Sequence, residues 1–228
     1  MTLMRIAGNP RSVLDLPPPF RAAWRTGDLV AAARDAAAAG AEPGTLLLGE
    51  DGALSDLALV LAPDRPRAAC RAVLPLAMLT MADALTALGP PLKDVVFAWP
   101  DRLLVDGARV GRACLALAAT GTADEVPDWA VIGVHVRLRL PPEAGEPGTM
   151  PEITALHEEG FGDLEASDII ESFARHFLHW THRWMEEGTA PLAAAFQRRL
   201  ALPAGARVDP LTFDLVEPDG QGAPVAWP

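Results

Sequence analysis

Hydrophobic positions along the chain come in short runs broken by Pro, Gly and charge, and the spacing of the runs predicts the elements. Residues 16–20, Leu-Pro-Pro-Pro-Phe, predict an extended lead-in, because each proline pushes the residue before it out of the helical region. Residues 26–40 predict a helix with Thr26 as N-cap, an alanine-rich body and Gly40 as its stop. Two strands follow, over 44–52 and 54–63. Pro63 and Pro66 then break the chain before an apolar helix over 74–89, entered through Pro75 and stopped at Gly89. Residues 94–99 predict a strand. Residues 103–119 predict the clearest hairpin, with Asp106 and Gly107 supplying the positive φ values of a two-residue type I′ turn. The strand over 129–140 alternates from Val134 onward. Val134, Val136, Leu138 and Leu140 share one face, and His135, Arg137 and Arg139 the other. Residues 141–152 predict a loop. Helices are expected over 166–185 and 190–200, and a tail with one or two short strands closes the chain.

This order lacks the strand–helix alternation of a doubly wound sheet. It predicts an α+β fold with a mostly antiparallel sheet and helices packed on one side. Residues 1–201 are expected to form the domain, and residues 202–228 a small C-terminal extension.

Composition narrows the function classes. The chain has 228 residues, half of them apolar, and a formal net charge of -11. No Lys/Arg-rich run is present, which argues against nucleic acid or an anionic membrane as partner. The apolar runs meet Pro or charge before the roughly 18 residues of a membrane span. The N-terminus lacks the apolar segment of a secretory signal. Cys70 and Cys114 have neither metal-ligand spacing nor the numbers for a disulfide framework, so a reduced, cytoplasmic protein is expected. Of the nineteen basic residues only Lys93 is a lysine. Any mechanism that needs a lysine must use that one.

The stretch Trp99-Pro100-Asp101 followed by the Asp106-Gly107 hairpin and Gly111 resembles the core motif of the biotin/lipoate protein ligase family, Lys-Trp-Pro-Asn-Asp followed by Asp-Gly-Lys-(Val)-(Ala/Gly)-Gly. Residues 129–138, with Gly133, resemble the family's apolar strand ending in Gly-Ile-Gly-(Ile)-Asn. Residues 171–200 resemble its last helices, including a Gly-x-x-Pro-Leu turn, and residues 25–40 fall where the family has its first helix. The resemblance runs from about residue 17 to 201 and implies a fold similar to class II aminoacyl-tRNA synthetases. It also implies a reaction in which ATP activates biotin, lipoate or a related acyl group to an adenylate, which a lysine of a carrier domain then accepts. Pro100, Asp106, Gly107, Gly111 and Gly133 fall at positions that shape the motif's backbone.

Four departures fall where that reaction needs its groups. The Gly-Arg-rich loop expected after the strand at 44–50 is missing. The lysine before Trp-Pro is Ala98, and Lys93, five residues upstream on a strand, is expected on the opposite face about 16 Å away. The Asn of the motif is Asp101, an anion in place of an amide. The glycine expected close to the acyl ligand is Arg112. Removing one preorganised donor typically costs roughly 3–4 kcal/mol of transition-state stabilisation, so several such losses argue against ordinary adenylate formation. His135 and Arg137 stand at the second Gly and the Asn of the later motif. Together with Arg112 they suggest a pocket re-specified for a carboxylate or other small anion, with Trp99 and Asp101 beside it. The plainer reading of the same alternation is a solvated strand face.

The remaining constellations weigh toward structure. His176, His179 and His182 drift around a helix by about 60° per step, which does not gather three ligands on one ion. Phe173, Phe177, Trp180 and Trp184 share one apolar stripe of that helix and predict core packing. Cys114 lies in an apolar run and is expected to be a buried structural thiol. Three functions remain in view. They are a divergent family member that binds an anionic or acyl ligand or a carrier domain, an active acyl transferase with a reorganised site that keeps ATP and biotin or lipoate, and a scaffold without a ligand.

Overall fold

The computed structural model describes residues 13–119, 122–141, 150–202 and 205–216. Seven strands form one sheet: β1 (Arg21–Arg25), β2 (Thr45–Gly49), β3 (Leu54–Leu61), β4 (Val95–Ala98), β5 (Arg102–Val105), β6 (Ala108–Leu117) and β7 (Ala130–Arg137), in the order β1-β2-β3-β7-β6-β5-β4. Among the strands of this sheet β1 and β2 run parallel, and the other neighbours pair antiparallel. β1 was not anticipated, because the three preceding prolines mask its short alternation. The long helices are α1 (Leu29–Ala38), α3 (Val73–Leu88), α4 (Ala166–Glu187) and α5 (Thr189–Arg199), and a single turn, α2 (Arg67–Cys70), leads into α3.

Side-chain parity divides the helices between the two faces of the sheet. Leu46, Leu48, Leu57, Leu59, Ile132, Val134 and Val136 face the main core with α3, α4 and α5. Leu47, Ala58, Val60 and Val131 face the other way and bury Leu29, Ala33 and Ala37 of α1. The mostly antiparallel α+β architecture therefore stands, but the helices are not all on one side. Helix α1 alone covers the second face, because its alanines let it lie close to the strands.

Local chemistry explains the element ends. Helix α1 starts two residues later than expected: Asp28, not Thr26, is the N-cap, and its carboxylate accepts from Ala31 N–H at 3.0 Å. The stretch Arg67–Leu88 is long and apolar enough to cross a membrane by length and composition, yet 78% of its most apolar window is buried inside the fold. It is the central core helix. Gly89 is its C-cap, and a Cβ there would lie 2.4 Å from the Phe161 ring. Helix α4 opens on a capping box between Glu165 and Asp168, and its stripe of Phe173, Phe177, Trp180 and Trp184 is buried as the periodicity predicts. The hairpin turn has Asp106 at φ 48° and Gly107 at φ 84°, both in the left-handed region.

The described part of the C-terminal segment packs into the same core. Phe213 is fully buried, edge-on to Phe196, which stacks on Phe97 at 5.1 Å. Gln197 holds the segment's backbone with both ends of its amide, accepting from Val208 N–H at 2.6 Å and donating to the Ala206 carbonyl at 3.5 Å. Phe213 pays for this place with a left-handed φ of 58°.

Candidate functional site

Where α1 begins, the face it covers carries a group of polar side chains. The register aligns Arg112 of β6, His135 of β7 and Asp56 of β3 in one cross-strand row. The next row holds Cys114, Gly133 and Ala58. His135 Nδ1 lies 2.5 Å from Asp56 Oδ1. The contact is an ion pair when the ring is protonated; Asp56 Oδ1 has no hydrogen-bond partner among the described residues. A cavity of about 160 Å³ opens here, lined by Asp56, Arg112, Cys114, Gly133 and His135 and by Gly27 and Asp28 at the start of α1.

Two glycines make this face possible. At Gly133 an added Cβ would lie 2.5 Å from Val30 Cγ2 and 2.8 Å from Cys114 Sγ, so only glycine lets α1 and the thiol close over β7. At Gly111 it would lie 2.3 Å from the His135 carbonyl oxygen, so glycine is what lets β6 approach β7 there.

Cys114 departs from expectation. It is exposed, not buried, and its side chain forms part of the cavity wall. Partial desolvation nevertheless pushes its thiol above the ordinary value, against the opposing effects of the Gly133 backbone and the Arg112 charge. The resting group is a neutral thiol rather than a poised nucleophile.

The other predicted site residues fall elsewhere. Arg137 shares the face but turns away from the cavity. Its guanidinium donates to the Thr154 carbonyl at 3.2 Å and to the Arg109 carbonyl at 3.5 Å, tying the loop around residue 154 to the end of β7. Desolvation, then the neighbouring Arg109, lowers its pKa. Trp99 is half-buried and packed against the main core. Asp101 lies beside a larger cavity of about 810 Å³, with Arg67, Arg71, Leu74, Leu115 and Leu211. The two cavities meet at Cys114, where β6 runs on past its last pairing with β5.

Lys93 lies just before β4 and is held by ion pairs to Asp106 and, at 3.1 Å, to Glu159. These raise its pKa, Asp106 most and Glu159 next. The single lysine is therefore a clamp on the hairpin turn. Only residues 50–53 connect β2 to β3, in a turn fixed by Asp51 accepting from Ala53 N–H at 2.8 Å. That leaves no room for a ligand-covering loop. Among the described residues no cluster of three His, Cys, Asp or Glu is placed to hold a metal ion. His176 instead bonds the Ser172 carbonyl at 2.9 Å.

Sequence reasoning missed Asp28 and Asp56. Asp56 had a signal: it is the one charge inside the apolar strand 54–61, at the parity that faces away from Leu57, Leu59 and Leu61.

Solved structures similar to this fold include biotin protein ligases. The biotin ligase of Aquifex aeolicus, in complex with biotin and ATP, superposes with a TM-score of 0.62 over 81% of this chain and 80% of that one at 12% identity, a likeness of fold. A biotin protein ligase-like protein of unknown function from a Silicibacter species matches with a TM-score of 0.81 and 30% identity over 92% of this chain and 95% of that one. The pattern of the biotin/lipoate A/B protein ligase family matches residues 16–198, and the chain belongs to that family. A biotin–[acetyl-CoA-carboxylase] ligase of Paracoccus denitrificans is 30% identical over 145 residues, which is 63% of this chain. The match spans 59% of that relative's length.

Proposed function

We propose that this family member binds a small anionic or acyl ligand on the α1 face and does not run ordinary ATP-dependent ligation. The observation that carries this reading is the shared cavity of Arg112 and the His135–Asp56 pair, beside the start of α1. Arg112 offers a guanidinium fork for a carboxylate, and His135, beside Asp56, a second polar group. What supports the loss of adenylation is that the lysine is engaged at Asp106 and Glu159 and that the β2–β3 turn is four residues long. A polyanionic transition state then lacks the donors that would stabilise it. A carrier domain of the kind the family modifies remains the natural macromolecular partner.

Two assays on the full chain test this. Incubation with ATP and biotin, lipoate or octanoate is expected to release no pyrophosphate above a no-enzyme control; stoichiometric release refutes the reading. In a melting screen the same carboxylates are expected to raise Tm, and Arg112→Ala is expected to abolish the rise. A ligand at about 100 times its dissociation constant adds roughly 2.7 kcal/mol.

The exposure of Cys114 at the meeting point of the two cavities favours a second reading, an acyl transferase with a reorganised site. Its raised pKa weighs against it. Incubation with an acyl thioester followed by intact-mass measurement separates the readings. An acyl adduct lost in Cys114→Ser supports the transferase.

A further inference from the structure

The charges in the cavity at the start of α1 define its ligand more narrowly. The charged side chains of its lining are Arg112, Asp28 and Asp56, with His135 adding a positive charge only when protonated. All of them can be reached. Arg112 and Asp28 are exposed, and the side chains of His135 and Asp56 keep 34% and 26% of their surface. Arg112 is paired with no carboxylate among the described residues, although Asp56 stands in its own cross-strand row, two strands away. Neighbouring strands lie about 4.8 Å apart, which puts the two Cα atoms roughly 10 Å from each other. A gap therefore separates the cation from the acids. Each acid has one oxygen occupied. Asp28 Oδ1 accepts from Ala31 N–H, and Asp56 Oδ1 is shut in beside His135, so a ligand meets the Oδ2 atoms.

A plain carboxylate fits this arrangement badly. It meets one guanidinium fork and two like charges, and a carboxylate beside a carboxylate is disfavoured. A plain amine has the opposite fault, because it meets the guanidinium. A molecule that carries both charges satisfies all three side chains at once. The cavity, about 160 Å³, is smaller than the roughly 300–1,000 Å³ of a drug-sized ligand's pocket, so the recognised group is small, and Val30 gives it an apolar contact. We propose that the ligand is a small α-amino acid, with its carboxylate on Arg112 and its ammonium between Asp28 and Asp56. This rests on the reading that the α1 face binds a carboxylate, and narrows it.

The test is calorimetric titration of the full chain near neutral pH with three compounds. These are 2-aminobutyrate, butyrate, which lacks the ammonium, and propylamine, which lacks the carboxylate. 2-Aminobutyrate is expected to bind about tenfold more tightly than either, the factor that about 1.4 kcal/mol represents. Arg112→Gln is expected to erase its preference over propylamine. Asp28→Asn and Asp56→Asn are each expected to erase most of its preference over butyrate. Asparagine caps a helix as well as aspartate does, so the first of these keeps α1 in place. Butyrate or propylamine binding as tightly as 2-aminobutyrate overturns the amino-acid proposal, and in the case of butyrate leaves the carboxylate reading standing. An unchanged preference over butyrate in both aspartate variants overturns the proposal, as does the absence of any 2-aminobutyrate binding. If biotin, lipoate and octanoate also fail to bind, the carboxylate reading falls with it.

Discussion

Gly133→Ala tests the closure of α1 over the ligand face in a single methyl group. The added carbon meets Val30 Cγ2 at 2.5 Å and Cys114 Sγ at 2.8 Å, both well inside contact distance. Val30 cannot swing aside cheaply, because a β-branched side chain on a helix has one strongly preferred rotamer. The helix must therefore lift from β7, and overpacking of this kind costs roughly 1–3 kcal/mol. For a domain of this size each kcal/mol moves Tm by about 2–4 °C, so a fall of about 2–12 °C is expected. Val30→Ala alone removes part of a half-buried side chain and costs about 1 kcal/mol. In the double variant the two carbons no longer compete, so urea unfolding is expected to show a loss smaller than the sum of the singles by about 1 kcal/mol or more. Gly111→Ala is the control. Its obstacle is the His135 backbone oxygen at 2.3 Å, which no side-chain trimming removes, so a larger loss without rescue is expected. Strictly additive effects at positions 30 and 133, or a Gly133→Ala loss below about 0.5 kcal/mol, would refute the view that Val30 seals this face.

Lys93→Met is expected to lower Tm at neutral pH. Because the ion pairs raise the lysine's pKa, the wild-type advantage is complete below the unfolded lysine value near 10.4 and fades as pH rises through the higher folded value, which melts at stepped alkaline pH will show. Phe213→Ala, at a fully buried ring, is expected to cost about 3–5 kcal/mol and to expose the C-terminal segment to limited proteolysis. Asp209 accepts from the Thr212 and Leu211 backbone, Thr212 contributing most, which depresses its carboxyl. Its contribution to stability should be present above the unfolded value near 3.9 and lost as pH falls through the folded one, a dependence absent in Asp209→Ala. Cys114 is expected to be alkylated by iodoacetamide faster than Cys70, with a rate that climbs only above the ordinary thiol range; rapid alkylation at neutral pH would contradict the raised pKa.

The readable elements were those with strong local signals. The Asp106-Gly107 turn, the α4 stripe and the alternation of β7 each follow from nearest-neighbour chemistry, and each stands where the spacing put it. What the sequence hid was long-range. The face that α1 covers depends on sheet order, which no local period encodes. Cys114 lies in an apolar run and reads as buried. Its exposure comes from β6 outrunning β5, a matter of strand length in a neighbour. Arg112 and His135 were placed together correctly from their pattern, while Arg137 was drawn off by the Thr154 carbonyl, a partner supplied by a loop with no sequence signature.

The aromatic stack of Phe97, Phe196 and Phe213 has a consequence for how the chain is made. Its members are 99 and 17 residues apart, and β4, at the edge of the sheet, is sealed only when the last of them arrives. Contacts of such separation are slow to form, since the intervening loop must close before they contribute. During synthesis, the ring of Phe97 and the apolar face around Phe196 stay open to water until residue 213 has left the ribosome. Completion of the core therefore waits for the C-terminal segment, and that interval is when the nascent chain is most vulnerable to aggregation.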